Sequence, residues 1–187
     1  MPRRLLVLLC ALCWGMPACA ASEDDRDIVV AVQVDGDAVR VDADFTVRAT
    51  PREVWATMTD FAHLADFISN LRSSQVLSHS GDVYTVAQKG IASAGLLSFE
   101  FDSVREVRLK PYEQIDSRML SGNMKKFEGL TRLTAEGDVT RIVYHSDAVS
   151  AVWIPPLIGR AFIVGETREQ FAEMRREILR RKLAAAR

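Results

Sequence analysis

The chain has 187 residues, of which 24 are lysine or arginine and 25 are aspartate or glutamate, giving a formal net charge of −1. This length suits one domain, and a content of 48% hydrophobic and 26% charged residues excludes a disordered or fibrous protein. The near-neutral charge excludes the broad basic surface of a dedicated nucleic-acid binder, so no nucleic-acid partner is expected.

Residues 1–20 have the pattern of a secretory signal peptide. Arg3 and Arg4 precede an apolar run over residues 5–14, and Ala18-Cys19-Ala20 places small residues before a cleavage site. We therefore predict an exported protein, periplasmic or secreted, after cleavage following Ala20. An uncleaved anchor and a lipoprotein acylated at Cys19 are the alternatives. All three cysteines lie in this segment, so the mature chain is expected to hold no disulfide or thiolate site.

The mature chain is predicted to begin with a flexible polar leader over residues 21–27, followed by a single domain over 28–183. Strands are predicted over 28–34 and 38–48, because Asp35-Gly36 between them is a hairpin signal. The second of these strands alternates apolar and polar residues, so one face should pack against the core.

Two short helices are predicted after this hairpin. Thr50 is placed to cap the first helix, with Pro51 at its first position and Glu53 completing a capping box. Asp60 is placed to begin the second helix, which should end near Asn70.

A run of strands and one long helix complete the predicted domain. The strands are expected near residues 74–78, 83–91, 96–109, 113–120, 125–135 and 141–152, with short turns between them. An amphipathic helix follows over 157–183, and residues 184–187 form a tail. The sequence thus predicts an α+β fold: a curved antiparallel sheet of six to seven strands wrapped around a long C-terminal helix, with two short helices after the first strand.

Several segments resemble the helix-grip superfamily, which includes START-like lipid-transfer domains, polyketide cyclase/dehydrase proteins and coenzyme Q-binding START-like proteins. They are ATPREVW at 49–55, TDF at 59–61, LADFI at 64–68, SGNMKKFEG at 121–129, IPPLIG at 154–159, and Gln170, Phe171 and Met174. The resemblance covers most of the mature chain and implies the same fold with an apolar cavity. It does not define the ligand, because this fold hosts many tasks.

Strand parity and helix periodicity predict which side chains line such a cavity. The predicted ligand-binding residues are Phe67, Phe99, Phe101, Ile115, Met119, Phe127, Thr131, Tyr144, Phe162, Phe171 and Met174. A packed core made of the same residues is the alternative. Thr131 favours a cavity, because a packed core would place a bulkier apolar side chain there.

The sequence predicts no catalytic residue, metal or cofactor. The histidines lack metal-ligand spacing on one helix face, and no phosphate-binding, dinucleotide-binding or nucleophile motif occurs. His145 and Asp147 share a strand face that should point to solvent. Tyr144 is the one ionisable residue predicted to point inward.

These patterns favour an exported, non-catalytic protein that encloses a hydrophobic small molecule. The resemblance implies a quinone, a lipid or a polyketide-like compound as the ligand class. A cyclase or dehydratase using the same pocket is the main alternative, and a protein-interaction module is a third. An entrance between residues 91–97 and 155–165 is predicted, where transient membrane contact is expected. The basic residues near Arg175 are interpreted as a solvated helix face.

Overall fold

A computed structural model describes residues 25–94, 97–151 and 156–187. Its strands are β1 (Val29–Asp35), β2 (Ala38–Val47), β3 (Leu71–Ser80), β4 (Val83–Ala94), β5 (Leu97–Lys110), β6 (Gln114–Gly122), β7 (Met124–Glu136) and β8 (Val139–Ser150). Its α-helices are α1 (Pro51–Met58) and α2 (Pro156–Ala185), and single 3₁₀ turns lie at Asp25–Asp27 and Leu64–Asp66. The predicted signal peptide and its cleavage site lie outside the described residues.

The strands of the described ranges form one antiparallel sheet in the order β1-β2-β8-β7-β6-β5-β4-β3. Strands that follow one another along the chain pair as hairpins, with the exception of β2 and β3: β2 pairs with β8, and β3 lies at the opposite edge of the sheet. The predicted α+β architecture is confirmed, although the sheet has eight strands in place of six or seven. The short helices follow the second strand, and the second of them is a single 3₁₀ turn.

Local sequence signals fix the start of α1. The Thr50 hydroxyl accepts a hydrogen bond from the backbone N–H of Glu53 at 3.3 Å, and a Glu53 carboxylate oxygen accepts one from the Thr50 N–H at 2.7 Å. The predicted capping box is therefore confirmed, since both of its reciprocal bonds are present.

Helix α2 packs on the inner face of the sheet. Its buried residues Phe171, Met174 and Ile178 belong to the same core cluster as residues of β2, β4, β5, β7 and β8. The ring centroids of Phe171 and Phe45 are 5.0 Å apart, a spacing typical of aromatic pairs in protein cores. The helix and the sheet therefore enclose a single main core between them.

The beginning of the described chain is bound to α2. Arg175 is 1% exposed and contacts Asp27 at 2.7 Å and Asp25 at 2.9 Å. The structure differs here from two expectations, because residues 25–27 form a 3₁₀ turn within the predicted flexible leader and Arg175 is not on a solvated face. The reason is a pairing between residues about 150 positions apart, which helix periodicity cannot reveal.

Candidate functional site

A cavity of about 150 Å³ lies between α2 and the inner face of the sheet. Side chains from α1, β4, β5, β6, β7, β8 and α2 line it, together with residues of the segment between α1 and β3. An apolar cavity of about this volume holds one benzene-sized molecule, whereas drug-sized ligands occupy roughly 300–1,000 Å³. The described cavity therefore has room for a single ring or a short chain.

Six of the residues predicted from strand parity and helix period lie on this cavity: Ile115, Phe127, Thr131, Tyr144, Phe171 and Met174. Strand pairing brings several of them together, because Thr131 on β7 is opposite both Ile115 on β6 and Tyr144 on β8. The Tyr144 and Phe171 rings meet edge to face at 5.3 Å.

Four predicted residues, Phe67, Phe101, Met119 and Phe162, are not among the described residues that line this cavity. The Phe67 ring lies beneath the Arg181 guanidinium, with 5.5 Å from its centroid to the guanidinium carbon. The Phe101 ring packs over Gly90, where a Cβ would lie 2.3 Å from it. Met119 is the cross-strand partner of Arg105, and the side chain of Phe99 lies outside what the structure describes.

Arg105 is a cavity residue that the sequence analysis missed. It lies on β5 four residues after Phe101, so strand parity already placed it on the inward face. The signal was present, but an arginine on a strand usually faces solvent unless it is paired. Its guanidinium carbon lies 5.4 Å from the centroid of the Phe127 ring.

The Arg105 side chain has no counter-ion in the described part of the chain. Its Nε is buried without a hydrogen-bond partner there, and the described residues provide no ion pair to it. Burial is the main influence on the pKa of Arg105 and lowers it from its ordinary value, while the nearby Tyr144 phenol opposes the shift. An arginine nevertheless keeps its charge in proteins. The cavity therefore holds a cation for which the described residues supply no anion.

Tyr144 is a neutral hydroxyl donor in the same cavity. Burial raises the pKa of Tyr144, and the hydrogen bond to Ser146 and the charge of Arg105 oppose that shift. A phenol with a raised pKa stays protonated at neutral pH. Gln88, Ser117 and Gln170 add further polar groups to the lining.

A second depression of about 330 Å³ lies on the outer face of the sheet and is lined largely by charged residues. These charges pair with one another: Arg118 Nε is 2.9 Å from Glu106 Oε1, and the His145 Nε2 is 3.1 Å from Asp147 Oδ2. His145 Nδ1 also contacts Asp42 Oδ1 at 2.6 Å. Because these groups satisfy one another, the outer depression makes the weaker case for a ligand site.

The predicted entrance lies between residues 91–97 and 155–165, of which residues 95, 96 and 155 are outside the described part of the chain. Beside it, α2 is tied to the segment before β3. The Ser69 N–H donates to Glu173 Oε2 at 2.9 Å, and Asn70 Nδ2 donates to Glu166 Oε2 at 3.3 Å.

No helix among residues 25–94, 97–151 and 156–187 combines the length and apolar character that a membrane span needs. Histidine, cysteine and carboxylate side chains of the described ranges form no group of three or more that could hold a metal ion.

The fold is similar to those of several solved structures. One is the STAR-related lipid transfer protein from Xanthomonas axonopodis, with a TM-score of 0.69 and 13% identity over 84% of this chain and 96% of the other. Another is the Zhui aromatase/cyclase from Streptomyces sp. R1128, with a TM-score of 0.66 and 19% identity over 79% and 98%. A START superfamily protein from Mycobacterium smegmatis has a TM-score of 0.60 and 18% identity over 72% and 92%. At these identities the likeness confirms the START-like fold alone.

The sequence itself defines the family. No curated protein matches it at a significant level. Residues 47–175, well over half of the chain, match the family described as polyketide cyclase / dehydrase and lipid transport. This range contains all of the segments that carried the resemblance in the sequence. The chain therefore belongs to the polyketide cyclase / dehydrase and lipid transport family.

Proposed function

We propose that this protein binds a hydrophobic small molecule in the inner cavity, with an anionic or carbonyl oxygen of that molecule at Arg105. The observation that carries the proposal is the buried Arg105 Nε, which has no partner among the described residues. Its surroundings are mostly apolar and aromatic, which suits a ring or a chain.

The energetics of Arg105 favour a ligand with an oxygen acceptor. A buried charge whose partner has been removed destabilises a protein by about 3–5 kcal/mol. A ligand that supplies the missing acceptor recovers part of this free energy, and a hydrogen bond to a charged group contributes about 1.5–3 kcal/mol. The acceptor should therefore contribute about ten- to hundredfold to affinity.

Benzoate is a suitable test ligand, because it combines one ring with a carboxylate and matches the cavity volume. Toluene provides the ring without the charge. We expect benzoate to bind wild type with a dissociation constant near 1 mM, about −4 kcal/mol, in an NMR titration. Arg105→Met should weaken benzoate at least tenfold and leave toluene binding unchanged.

Arg108→Met is the matched control. Arg108 lies on the same strand, is exposed and pairs with Glu106 at 2.9 Å, so its loss should leave benzoate affinity within twofold. Equal benzoate affinity for wild type and Arg105→Met would refute the proposed role of Arg105. No binding of either ligand to wild type would refute the cavity itself.

Export is the second part of the proposal and is supported by residues 1–20. A carrier outside the cytoplasm would bind its ligand in the periplasm or beyond the cell. We expect N-terminal sequencing of protein from the cell envelope to begin at Ala21. Recovery of chains that retain Met1, or of a lipid on Cys19, would contradict this part.

A cyclase or dehydratase is the second candidate, favoured by Arg105 and Tyr144 in one cavity. Arg105 can polarise a carbonyl, and Tyr144 can donate a hydrogen bond, because burial keeps it protonated. Extraction of the ligand that co-purifies with the native protein separates the two functions. A carrier returns the extracted molecule unchanged after incubation with fresh protein, whereas an enzyme consumes its substrate, and Tyr144→Phe should then stop turnover without abolishing binding.

A further inference from the structure

Gln88 is the most deeply buried polar residue of the cavity lining, at 4% exposure. It lies on β4, opposite Ser74 of β3 and Ser103 of β5. Burying an amide is unfavourable unless its polar atoms find partners. The hydrogen bonding of Gln88 therefore indicates which polar group a ligand in this cavity should carry.

A short hydrogen-bond chain determines which way the Gln88 amide points. Ser74 Oγ is 2.5 Å from the carbonyl oxygen of Phe61 and 3.0 Å from the Gln88 side chain. A carbonyl oxygen can only accept, so the single hydroxyl proton of Ser74 is donated to Phe61. Ser74 Oγ must then accept from Gln88, and the group facing it must be the Nε2 amide nitrogen.

The opposite orientation of the amide would place two acceptors against each other. The Gln88 Oε1 is thereby left as a hydrogen-bond acceptor on a side chain that lines the cavity. Within the described ranges the amide makes no hydrogen bond other than the one to Ser74. Ser74 is itself 6% exposed, so solvent does not compete readily for this chain.

Gln88 and Arg105 lie close together on the inner face. Arg105 pairs with Val86, which is two residues before Gln88 on the same side of β4. Such diagonal neighbours on a sheet are about 7–8 Å apart between backbones, within reach of one small polar group. The Gln88 side chain offers an acceptor oxygen, whereas the Arg105 guanidinium offers only donors.

We propose that Gln88 is a specificity-determining residue, which selects ligands that carry a hydroxyl or N–H donor near the oxygen held by Arg105. This inference rests on the proposed function, because it requires a ligand at Arg105. Arg105 alone would accept any acid or carbonyl compound of suitable size. The Gln88 oxygen adds discrimination, because a ligand without a donor leaves that buried acceptor unpaired. Ser74 is a positioning residue, since it acts by orienting the amide.

Three benzoates test the proposal by NMR titration: benzoate, 3-hydroxybenzoate and 3-methoxybenzoate. The last has an oxygen in the same place but no donor. We expect wild type to bind 3-hydroxybenzoate about three- to tenfold more tightly than 3-methoxybenzoate, the effect of one hydrogen bond. Gln88→Met should reduce this ratio to about one, because it removes the acceptor that pairs with the hydroxyl group.

Ser74→Ala provides an independent variant, because it leaves Gln88 in place and releases its amide. The preference for 3-hydroxybenzoate should fall toward one, and this readout would not move if Ser74 only supported the fold. Gln75→Met is the matched control on β3, where Gln75 is exposed, and it should keep the wild-type ratio. Circular dichroism identifies any variant that fails to fold, and the remaining variant then decides the outcome.

These titrations distinguish a failure of the proposed function from a failure of the role of Gln88. Absence of benzoate binding to wild type would overturn the proposed function and this inference with it. Benzoate binding with equal affinities for the hydroxy and methoxy compounds, or with a ratio that survives both variants, would overturn the role of Gln88 alone.

Discussion

Substitutions at Thr131 test whether the space beside it is a real cavity. Thr131 is 7% exposed on β7 and lines the cavity of about 150 Å³. Its hydroxyl makes no hydrogen bond within the described part of the chain. Thr131→Val replaces that hydroxyl with a methyl group of similar size, and Thr131→Ile adds one further carbon that points into the same space.

The expected changes in unfolding free energy follow from these contacts. Removing an unpaired hydroxyl from apolar surroundings should stabilise the protein by about 1 kcal/mol. The extra carbon of isoleucine should add about 0.8 kcal/mol if it fills empty space. In a fully packed core the same carbon would instead destabilise the protein by about 1–3 kcal/mol relative to valine. The sign of the difference between Thr131→Ile and Thr131→Val is therefore decisive.

Urea denaturation measures the difference in unfolding free energy between the two variants, provided that their m-values are equal. The benzoate titration measures how the added carbon changes ligand affinity. We expect Thr131→Ile to be more stable than Thr131→Val and to bind benzoate more weakly, because it occupies ligand space. An isoleucine variant that is less stable than the valine variant by 1 kcal/mol or more would refute the cavity.

Two further predictions concern α2 and the outer face of the sheet. A Cβ at Gly165 meets no atom within 4 Å, so Gly165→Ala should raise the unfolding free energy by about 1 kcal/mol in urea denaturation, and a neutral or destabilising result would show that this glycine has another role. The pKa of His145 is raised by its hydrogen bonds to two carboxylates, so its contribution to stability is complete below about pH 6.5 and disappears as the pH rises through the raised value. The difference in urea midpoint between wild type and His145→Gln should accordingly shrink between about pH 6 and pH 9, and a constant difference would contradict this linkage.

Local sequence signals determined most of the architecture. The capping box of Thr50 and Glu53 acts over four residues, and the hairpin at Gly36 depends on a backbone with a φ of 62°. Period-two alternation identified the strands, and helix periodicity placed Phe171 and Met174 of α2 on the core. These features need no knowledge of distant residues, because their physical causes lie within a few positions along the chain.

Only the tertiary structure decided which inward-facing residues line the cavity. Parity placed Phe101 and Thr131 alike on the inner face, yet the Phe101 ring packs over Gly90 while Thr131 borders empty space. Whether a pocket or a core results depends on how α2 sits above the sheet. That geometry arises from many contacts between elements and has no period along the chain.

The polar residues of the cavity also depend on the tertiary structure for their role. Strand parity from Phe101 is consistent with an inward Arg105, but the sequence analysis identified neither Arg105 nor Gln88 as a site residue. The sequence does not show that Arg105 has no counter-ion among the described residues, or that Ser74 orients the Gln88 amide so that its oxygen remains as an acceptor. Those properties depend on strand register and on the Phe61 carbonyl, which reaches Ser74 across a loop. Charge pairing is thus settled by neighbours in space, and such neighbours exist only once the sheet has formed.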